Sequence, residues 1–166
     1  FEQPRHVFRR GAGLPRAFLV AKAVMPQEGH DVTGELCAID PKQECVVETD
    51  PVHGTAEYQE ITAKRNAFGD WALHFTTDEA GIVVLSESWH PDWRATEGNE
   101  QLEIRRVNHG QVGIPVSSGT HNLRVRYYPW DFFLGCLISA STWTLVIVCA
   151  LIFRLTCRRV SFRYPA

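Results

Sequence analysis

The feature that most constrains this chain is a run of 22 uncharged, mainly apolar residues at positions 132–153, FFLGCLISASTWTLVIVCALIF. A helix rises about 1.5 Å per residue, so this run would extend about 33 Å, and the hydrocarbon core of a bilayer is about 30 Å thick. The alternative is a buried helix of a soluble protein. The run favours a transmembrane helix over that alternative because it is long and ends at a cluster of arginines.

The charges on the two sides of this run differ in sign. The 131 residues before it carry 13 basic and 19 acidic side chains, a net charge of −6, whereas the 13 residues after it carry four arginines and no acid. By the positive-inside rule, the segment 154–166 is predicted to be a basic cytoplasmic tail and the segment 1–131 to lie outside the cytoplasm. Aromatic and basic residues at the two ends of the run are expected to anchor it at the membrane interfaces. These are Tyr127, Tyr128, Trp130, Arg154, Arg158 and Arg159.

Several functional classes are disfavoured by what the sequence contains. The acidic balance of residues 1–131 argues against a nucleic-acid-binding domain, which needs a basic face. The sequence has no HExxH or GxSxG motif and no glycine-rich phosphate loop, so it predicts no catalytic residue, no metal site and no cofactor in this chain. Cys37 and Cys45 are expected to be free, partly buried thiols, although export would allow them to form a disulfide. The chain opens at Phe1 without a basic and then apolar leader, so we expect a segment upstream of it to direct export.

The region before the apolar run predicts a β-rich domain. Residues 31–39 suggest a single short helix, and Gly98-Asn99 and Ser118-Gly119 are turn dipeptides. The run at 81–89 opens as continuous hydrophobic sequence, which is typical of a strand buried on both faces. Short strands with turns at this spacing indicate a sandwich or a barrel, and we predict an antiparallel β-sandwich of jelly-roll type, followed by one C-terminal transmembrane helix. The nine strand segments are 17–25, 45–49, 55–64, 71–77, 81–89, 93–96, 102–107, 111–116 and 121–128.

Four motifs follow one another in a distinctive order. Residues 14–18 read LPRAF, residues 86–95 read SESWHPDWRA, residues 113–121 read GIPVSSGTH, and residues 126–130 read RYYPW directly before the apolar run. This succession resembles the C-terminal portion of YfhO-like bacterial multi-pass membrane proteins, and the resemblance extends over nearly the whole chain. Two positions depart from the family pattern. Asp92 stands where the family usually has glycine, and Glu97-Gly98 stands where Asp-Gly is common; Asp tolerates positive φ, so the turn at Asp92 is expected to form.

The resemblance implies a parent protein of the GT-C glycosyltransferase type, which transfers sugars from lipid-linked donors to cell-envelope polymers or lipids. The catalytic carboxylates of such proteins are expected in an early extracytoplasmic loop, so this chain is expected to be a non-catalytic accessory part. Its implied partners are the lipid bilayer, other transmembrane helices of the parent, and a lipid-linked sugar or envelope glycan. The alternative is a single-span, membrane-anchored binding or adhesion ectodomain.

Candidate carbohydrate contacts are Trp89, Trp93 and Arg94, because flat aromatic faces stack on sugar rings and the segment lies at a strand end. Two interpretations stay open at this point. The tryptophans either contact a ligand or pack the sandwich, and the segment from His90 to Arg94 is either a binding loop or a plain turn.

Overall fold

A computed structural model describes residues 13–26, 32–48, 50–66 and 69–161 of the chain. It forms two compact units, one extending to Tyr127 and one beginning at Tyr128. Two helices are present in the described residues, α1 (Val32–Ala38) and α2 (Trp130–Ser161). The strands are β1 (Ala17–Val20), β2 (Lys22–Val24), β3 (Glu44–Val46), β4 (Val52–His53), β5 (Gln59–Ile61), β6 (Ala63–Arg65), β7 (Trp71–Thr77), β8 (Gly81–Ser88), β9 (Trp93–Glu97), β10 (Glu100–Leu102), β11 (Arg105–Val107), β12 (Gln111–Val116) and β13 (Gly119–Tyr127).

Most strands belong to two five-stranded antiparallel sheets. The first has the order β11-β12-β8-β1-β5 and the second the order β10-β9-β13-β7-β6. The chain passes repeatedly from one sheet to the other, as it does in jelly-roll sandwiches. The main core lies between the sheets and contains side chains of both, such as Leu85 and Ile114 from the first and Leu73 and Leu123 from the second. The predicted antiparallel sandwich is therefore confirmed.

The first sheet is covered on both faces. A small sheet of order β3-β2-β4, in which β2 and β3 run parallel, packs on its other side through a second core that includes Phe18, Ile82, Val84 and Cys45. Strands β1 and β8 thus place alternate residues in two different cores. This explains why the hydrophobic run of β8 is continuous, as the sequence predicted.

The second sheet has only one buried face. Strand β7 alternates strictly between buried and exposed residues, and along β13 Leu123 and Val125 are buried while Arg124 is exposed and Arg126 is partly exposed. The alternation of Leu, Val and Tyr with arginine in residues 123–127 is typical of a strand with one buried face. Leu123 and Val125 follow that pattern, whereas Tyr127, at the end of the strand, is 41% exposed.

Three segments predicted as single strands are each divided in two. Residues 17–25 form β1 and β2 in different sheets, because the carbonyl oxygen of Gln43 accepts the N–H groups of both Ala21 and Lys22 and the chain changes direction there. Residues 102–107 contain the end of β10 and all of β11, and residues 55–64 contain β5 and most of β6. Composition did not reveal these breaks, because each lies where the chain crosses between sheets.

Helix α2 begins two residues before the predicted apolar segment and continues into the arginine-containing tail. The stretch Trp130–Leu155 has 26 residues and exposed apolar side chains, an 18-residue window within it has a mean hydropathy of 2.3, and it is long and apolar enough to cross a bilayer. The hydroxyl groups of Ser141 and Thr142 donate to the Ile138 carbonyl oxygen at 2.7 and 2.9 Å. These hydroxyl groups are thus satisfied within the helix, as is that of Thr144, which donates to the Ala140 carbonyl oxygen at 2.8 Å.

Candidate functional site

The segment between β8 and β9 is a tight turn. The N–H of Trp93 donates to the His90 carbonyl oxygen at 3.1 Å, and Pro91 at the second position supplies the fixed φ that such turns favour. The N–H of Asp92 donates to Nδ1 of His90 at 3.2 Å. The turn forms as predicted, but Asp92 does not have a positive φ, so the turn did not require glycine at this position.

Trp93 points into the core. Its side chain is 8% exposed, and its indole N–H donates to the Ser88 carbonyl oxygen at 2.9 Å. Its ring lies 5.4 Å from the ring of Tyr127, its cross-strand neighbour on β13. Packing therefore uses most of the ring surface that a sugar would need. Carbohydrate contact by Trp93 stays a prediction.

Trp89 is half-buried against the same core, and its backbone N–H donates to the Gly110 carbonyl oxygen at 2.7 Å. A cleft of about 170 Å³ opens beside it. Small-molecule sites usually have volumes of about 300–1,000 Å³, so this cleft has room for only part of a ligand. It is lined by Trp89, His90, Pro91, Trp93, Arg94, Gln101, Leu102, Glu103 and Ile104.

Arg94 is exposed at the rim of the cleft. Its Nη1 atom donates to the carbonyl oxygens of Pro91 and Trp93 at 2.6 and 2.8 Å. The guanidinium therefore closes the turn through Nη1. Its other N–H groups take no part in these two hydrogen bonds. The structure thus brings the three predicted contacts, Trp89, Trp93 and Arg94, to one cleft.

The His121 side chain, in the GIPVSSGTH segment, forms a buried brace with Glu97. Its Nδ1 lies 3.0 Å from Oε2 of Glu97, and its Nε2 lies 2.9 Å from the Ser117 carbonyl oxygen. Both neighbours are oxygen atoms that can accept a hydrogen bond from a ring N–H of His121. Burial raises the pKa of Glu97, but the hydrogen bonds from His121 and from the Asn122 N–H outweigh it and hold that pKa below its ordinary value.

A second ion pair joins β13 to the start of β7. Arg126 donates from Nε and Nη2 to Oδ2 of Asp70, at 2.8 and 2.6 Å, and the Asp70 side chain is almost fully buried. The hydrogen bond from Arg126 holds the pKa of Asp70 below its ordinary value. These ionisable groups have structural partners. In the segments that the model describes, no group of three His, Cys, Asp or Glu side chains is arranged to hold a metal ion.

The predicted interface anchors lie on both sides of the apolar run. Tyr127 is the last residue of β13, Tyr128 follows it, and Trp130 is the first residue of α2 and is 75% exposed. Arg154 lies within α2, and the side chains of Arg158 and Arg159 are outside the described residues. Their role as anchors stays a prediction.

Both described thiols of the strand domain are free, as expected. Cys37 is exposed on α1, whereas Cys45 is fully buried in the second core, so the expectation of partial burial was wrong for both. Burial raises the pKa of the Cys45 thiol to about 12.

The sequence did not reveal the pairing of Glu97 with His121 or of Asp70 with Arg126. Their separations of 24 and 56 residues give no local signal. The alternation along β13 did indicate that Arg126 faces away from the core, but only the sheet register brings Asp70 beside it.

Comparison with known proteins gives one match. The model of the family described as "Bacterial membrane protein YfhO" matches residues 55–139, just over half of the chain. This range includes β5 to β13, the candidate cleft and the first turns of α2. No curated protein and no solved structure matches the chain.

The matched family consists of membrane proteins, and the apolar helix is long enough to cross a bilayer. Together these two observations identify a membrane protein. The strand-rich architecture also agrees with the resemblance carried by the motifs. The chain belongs to the YfhO family of bacterial membrane proteins.

Proposed function

We propose that this chain is the C-terminal, non-catalytic accessory part of a polytopic membrane protein resembling GT-C glycosyltransferases that act on cell-envelope polymers or lipids. The observation that carries the proposal is the family match, which spans the strands around the cleft and continues into the apolar helix. The structural pairing of His121 with Glu97 and of Asp70 with Arg126 supports an accessory role, because it leaves these groups engaged rather than available for acid–base catalysis.

In this proposal the sandwich domain, residues 1–131, lies outside the cytoplasm, residues 132–153 span the bilayer, and the arginine-containing tail, residues 154–166, lies inside. The helix packs beside other transmembrane helices of the parent, and Gly135 and the hydroxyl residues of the run supply a small-residue surface for that packing. The sandwich positions an acceptor or braces the catalytic loops of the parent.

The cleft beside Trp89 is the proposed carbohydrate contact, with a lipid-linked sugar or an envelope glycan as the ligand. Of the two tryptophans, Trp89 is the better candidate for sugar contact, because Trp93 is only 8% exposed and its indole N–H is already hydrogen-bonded. Arg94 lies at the same rim, where it can meet a sugar hydroxyl or a phosphate.

The orientation is tested by labelling the full chain in intact bacterial cells. We use a variant in which every cysteine except Cys37 is serine, because Cys37 is exposed in the strand domain. A membrane-impermeant maleimide is expected to label Cys37 in intact cells, whereas an epitope after Ala166 is expected to need permeabilised cells. Labelling of Cys37 only after lysis, with the epitope accessible from outside, would reverse the proposed orientation.

The accessory role and the sugar contact are tested with the full chain in detergent micelles. We expect no turnover of lipid-linked sugars, and saturation-transfer signals from envelope monosaccharides that weaken in Trp89→Ala and Arg94→Ala. Trp143→Ala, in the apolar helix, is the matched control and is expected to bind normally. Turnover by the chain alone would contradict the accessory role, and binding that is equal in all variants would remove the cleft from the proposal.

A further inference from the structure

The two outer faces of the sandwich differ. The outer face of the first sheet is covered by the β3-β2-β4 sheet, with a core of its own. The outer face of the second sheet, formed by the outward residues of β6, β7, β13 and β9, is solvent-exposed in the strand domain. We call it the open face. None of the exposed large hydrophobic side chains of the described domain belongs to its outward positions, so its chemistry is polar.

A depression lies at the middle of the open face. Ala72 on β7 forms its floor, because this small residue is paired with Lys64 on one side and with Arg124 on the other. Cross-strand neighbours have Cβ atoms about 4.5–5.5 Å apart, so the two cations rise on opposite sides of the alanine. The depression is open and has a volume of about 540 Å³; His74, Asn122 and Thr62 complete its polar rim.

The charge of the depression is unbalanced. Within the described residues, the side chains of Lys64 and Arg124 form no hydrogen bond and no ion pair. The acid nearest along β7 on this face, Asp70, is hydrogen-bonded by Arg126, and its charge also attracts Arg124 more weakly. The domain as a whole is acidic, with a net charge of −6 over residues 1–131. Two cations that face the same small concavity without an acid therefore form a local positive site.

The rim also contains two polar side chains that hold each other in position. Nδ1 of His74 and Oδ1 of Asn122 are 2.6 Å apart across the β7–β13 pair, which holds both side chains in place. In this arrangement Nδ1 of His74 donates to the amide oxygen, and the amide nitrogen of Asn122 keeps its N–H groups for another acceptor. Cationic and neutral donors thus surround the alanine floor.

From this geometry we infer that the depression binds a phosphate ester through Lys64 and Arg124. A carboxylate directs two oxygens to one side and is matched by a single guanidinium fork, whereas a phosphate directs oxygens to cations on opposite sides. The polar surface, which lacks exposed aromatic side chains, fits an anionic group better than an apolar sugar face. The phosphate belongs to a lipid headgroup or to a water-soluble phosphate ester.

The test uses the full chain in micelles of an uncharged detergent. One arm titrates glycerol 3-phosphate by calorimetry, and the other adds phosphatidylglycerol to the micelles and counts bound lipids by native mass spectrometry. The variants are Lys64→Ala, Arg124→Ala and the double variant. Lys22→Ala is the matched control, because Lys22 is a partly exposed cation that pairs with Glu44 on the covered side of the domain. Both target side chains point away from the core, so the variants are expected to keep the wild-type circular dichroism and melting temperature.

We expect binding in at least one arm, weakened about tenfold by each single substitution and unchanged within about twofold in Lys22→Ala. Binding of glycerol 3-phosphate identifies a water-soluble ester as sufficient, and binding of phosphatidylglycerol alone identifies a lipid headgroup. Absence of binding in both arms at low salt would overturn the inference. So would binding that the folded double variant retains in full.

Discussion

The most informative single substitution is at Glu97, because its carboxylate accepts a hydrogen bond from the exposed Asn122 and lies against the buried His121 ring. Oε1 accepts the Asn122 N–H at 2.8 Å, and the nearer oxygen to His121, Oε2, lies 3.0 Å from Nδ1. In Glu97→Ala both donors lose their acceptor, and the His121 ring, which is 7% exposed, has little access to water. The Asn122 N–H can bond to water instead, whereas an unsatisfied buried group costs about 1–3 kcal/mol, so we expect a loss of about 1–3 kcal/mol in the free energy of unfolding, mainly from His121.

Glu97→Gln is the matched variant. The amide oxygen can still accept the Asn122 N–H, and the amide nitrogen can donate to Nδ1 of His121 in the tautomer that carries its proton on Nε2. The Nε2 proton then remains on the Ser117 carbonyl oxygen, so each polar atom keeps a partner. Only the charge assistance is lost, and we expect a cost of about 0.5–1.5 kcal/mol.

The pH dependence has a definite sign. The pKa of Glu97 is lowered in the folded state, so the pair contributes stability above the ordinary carboxylate pKa and this contribution is lost as the pH falls through the folded-state value. The difference in stability between the wild type and Glu97→Gln is therefore expected to be largest near neutral pH and to shrink below pH of about 4.

The assay is urea unfolding of the full chain in uncharged micelles, followed by tryptophan fluorescence between pH 3 and pH 7. The order of stability is expected to be wild type, Glu97→Gln and then Glu97→Ala. Equal stabilities of the two variants, or a cost below about 0.5 kcal/mol for the alanine variant, would refute the argument that Glu97 satisfies the buried His121 side chain.

Two further predictions concern close packing and thiol chemistry. Gly54→Ala would place a Cβ 2.1 Å from the Ala80 carbonyl oxygen, a backbone atom, and we expect a loss of about 2–3 kcal/mol. Gly110→Ala, whose Cβ would meet nothing within 4 Å, is the control, and equal melting temperatures of the two variants would contradict the packing argument. Because the pKa of Cys45 is raised to about 12, a maleimide is expected to modify Cys37 in the native chain and Cys45 only after urea is added. If mass spectrometry showed that Cys45 in the native chain is labelled at a rate comparable to that of Cys37, the argument that Cys45 is buried would be contradicted.

The sequence predicted the bounds of those strands whose pattern of buried and exposed residues can be recognised within a short stretch of chain. The strand at 71–77 has the predicted bounds, because its alternation has the period of a pleated strand with one buried face. The strand at 111–116 likewise has them, and the turn at Gly98-Asn99 is confirmed, with Gly98 at a φ of 57°. Strand breaks were missed at Ala21 and between Leu102 and Arg105, because apolar composition continues while the chain leaves one sheet for another.

The sequence indicated that Trp89, Trp93 and Arg94 lie close together, but it did not indicate how each of them is packed. Trp89, Trp93 and Arg94 are close in sequence, so a turn was bound to keep them close in space. How much of each ring remains exposed depends on the opposite sheet and on Tyr127, a residue 34 positions after Trp93. Burial of Trp93 could not be predicted from its neighbours along the chain.

The sequence by itself determined the apolar helix, the approximate place of most strands, and the separation of acidic and basic segments. These properties depend on length, hydrophobicity and charge within short windows. Only the tertiary structure decided which face of each sheet is covered and which side chains meet across it. Lys64 and Arg124 are 60 residues apart and meet around Ala72 because of the register between β6, β7 and β13, and register is set by the packing of whole sheets.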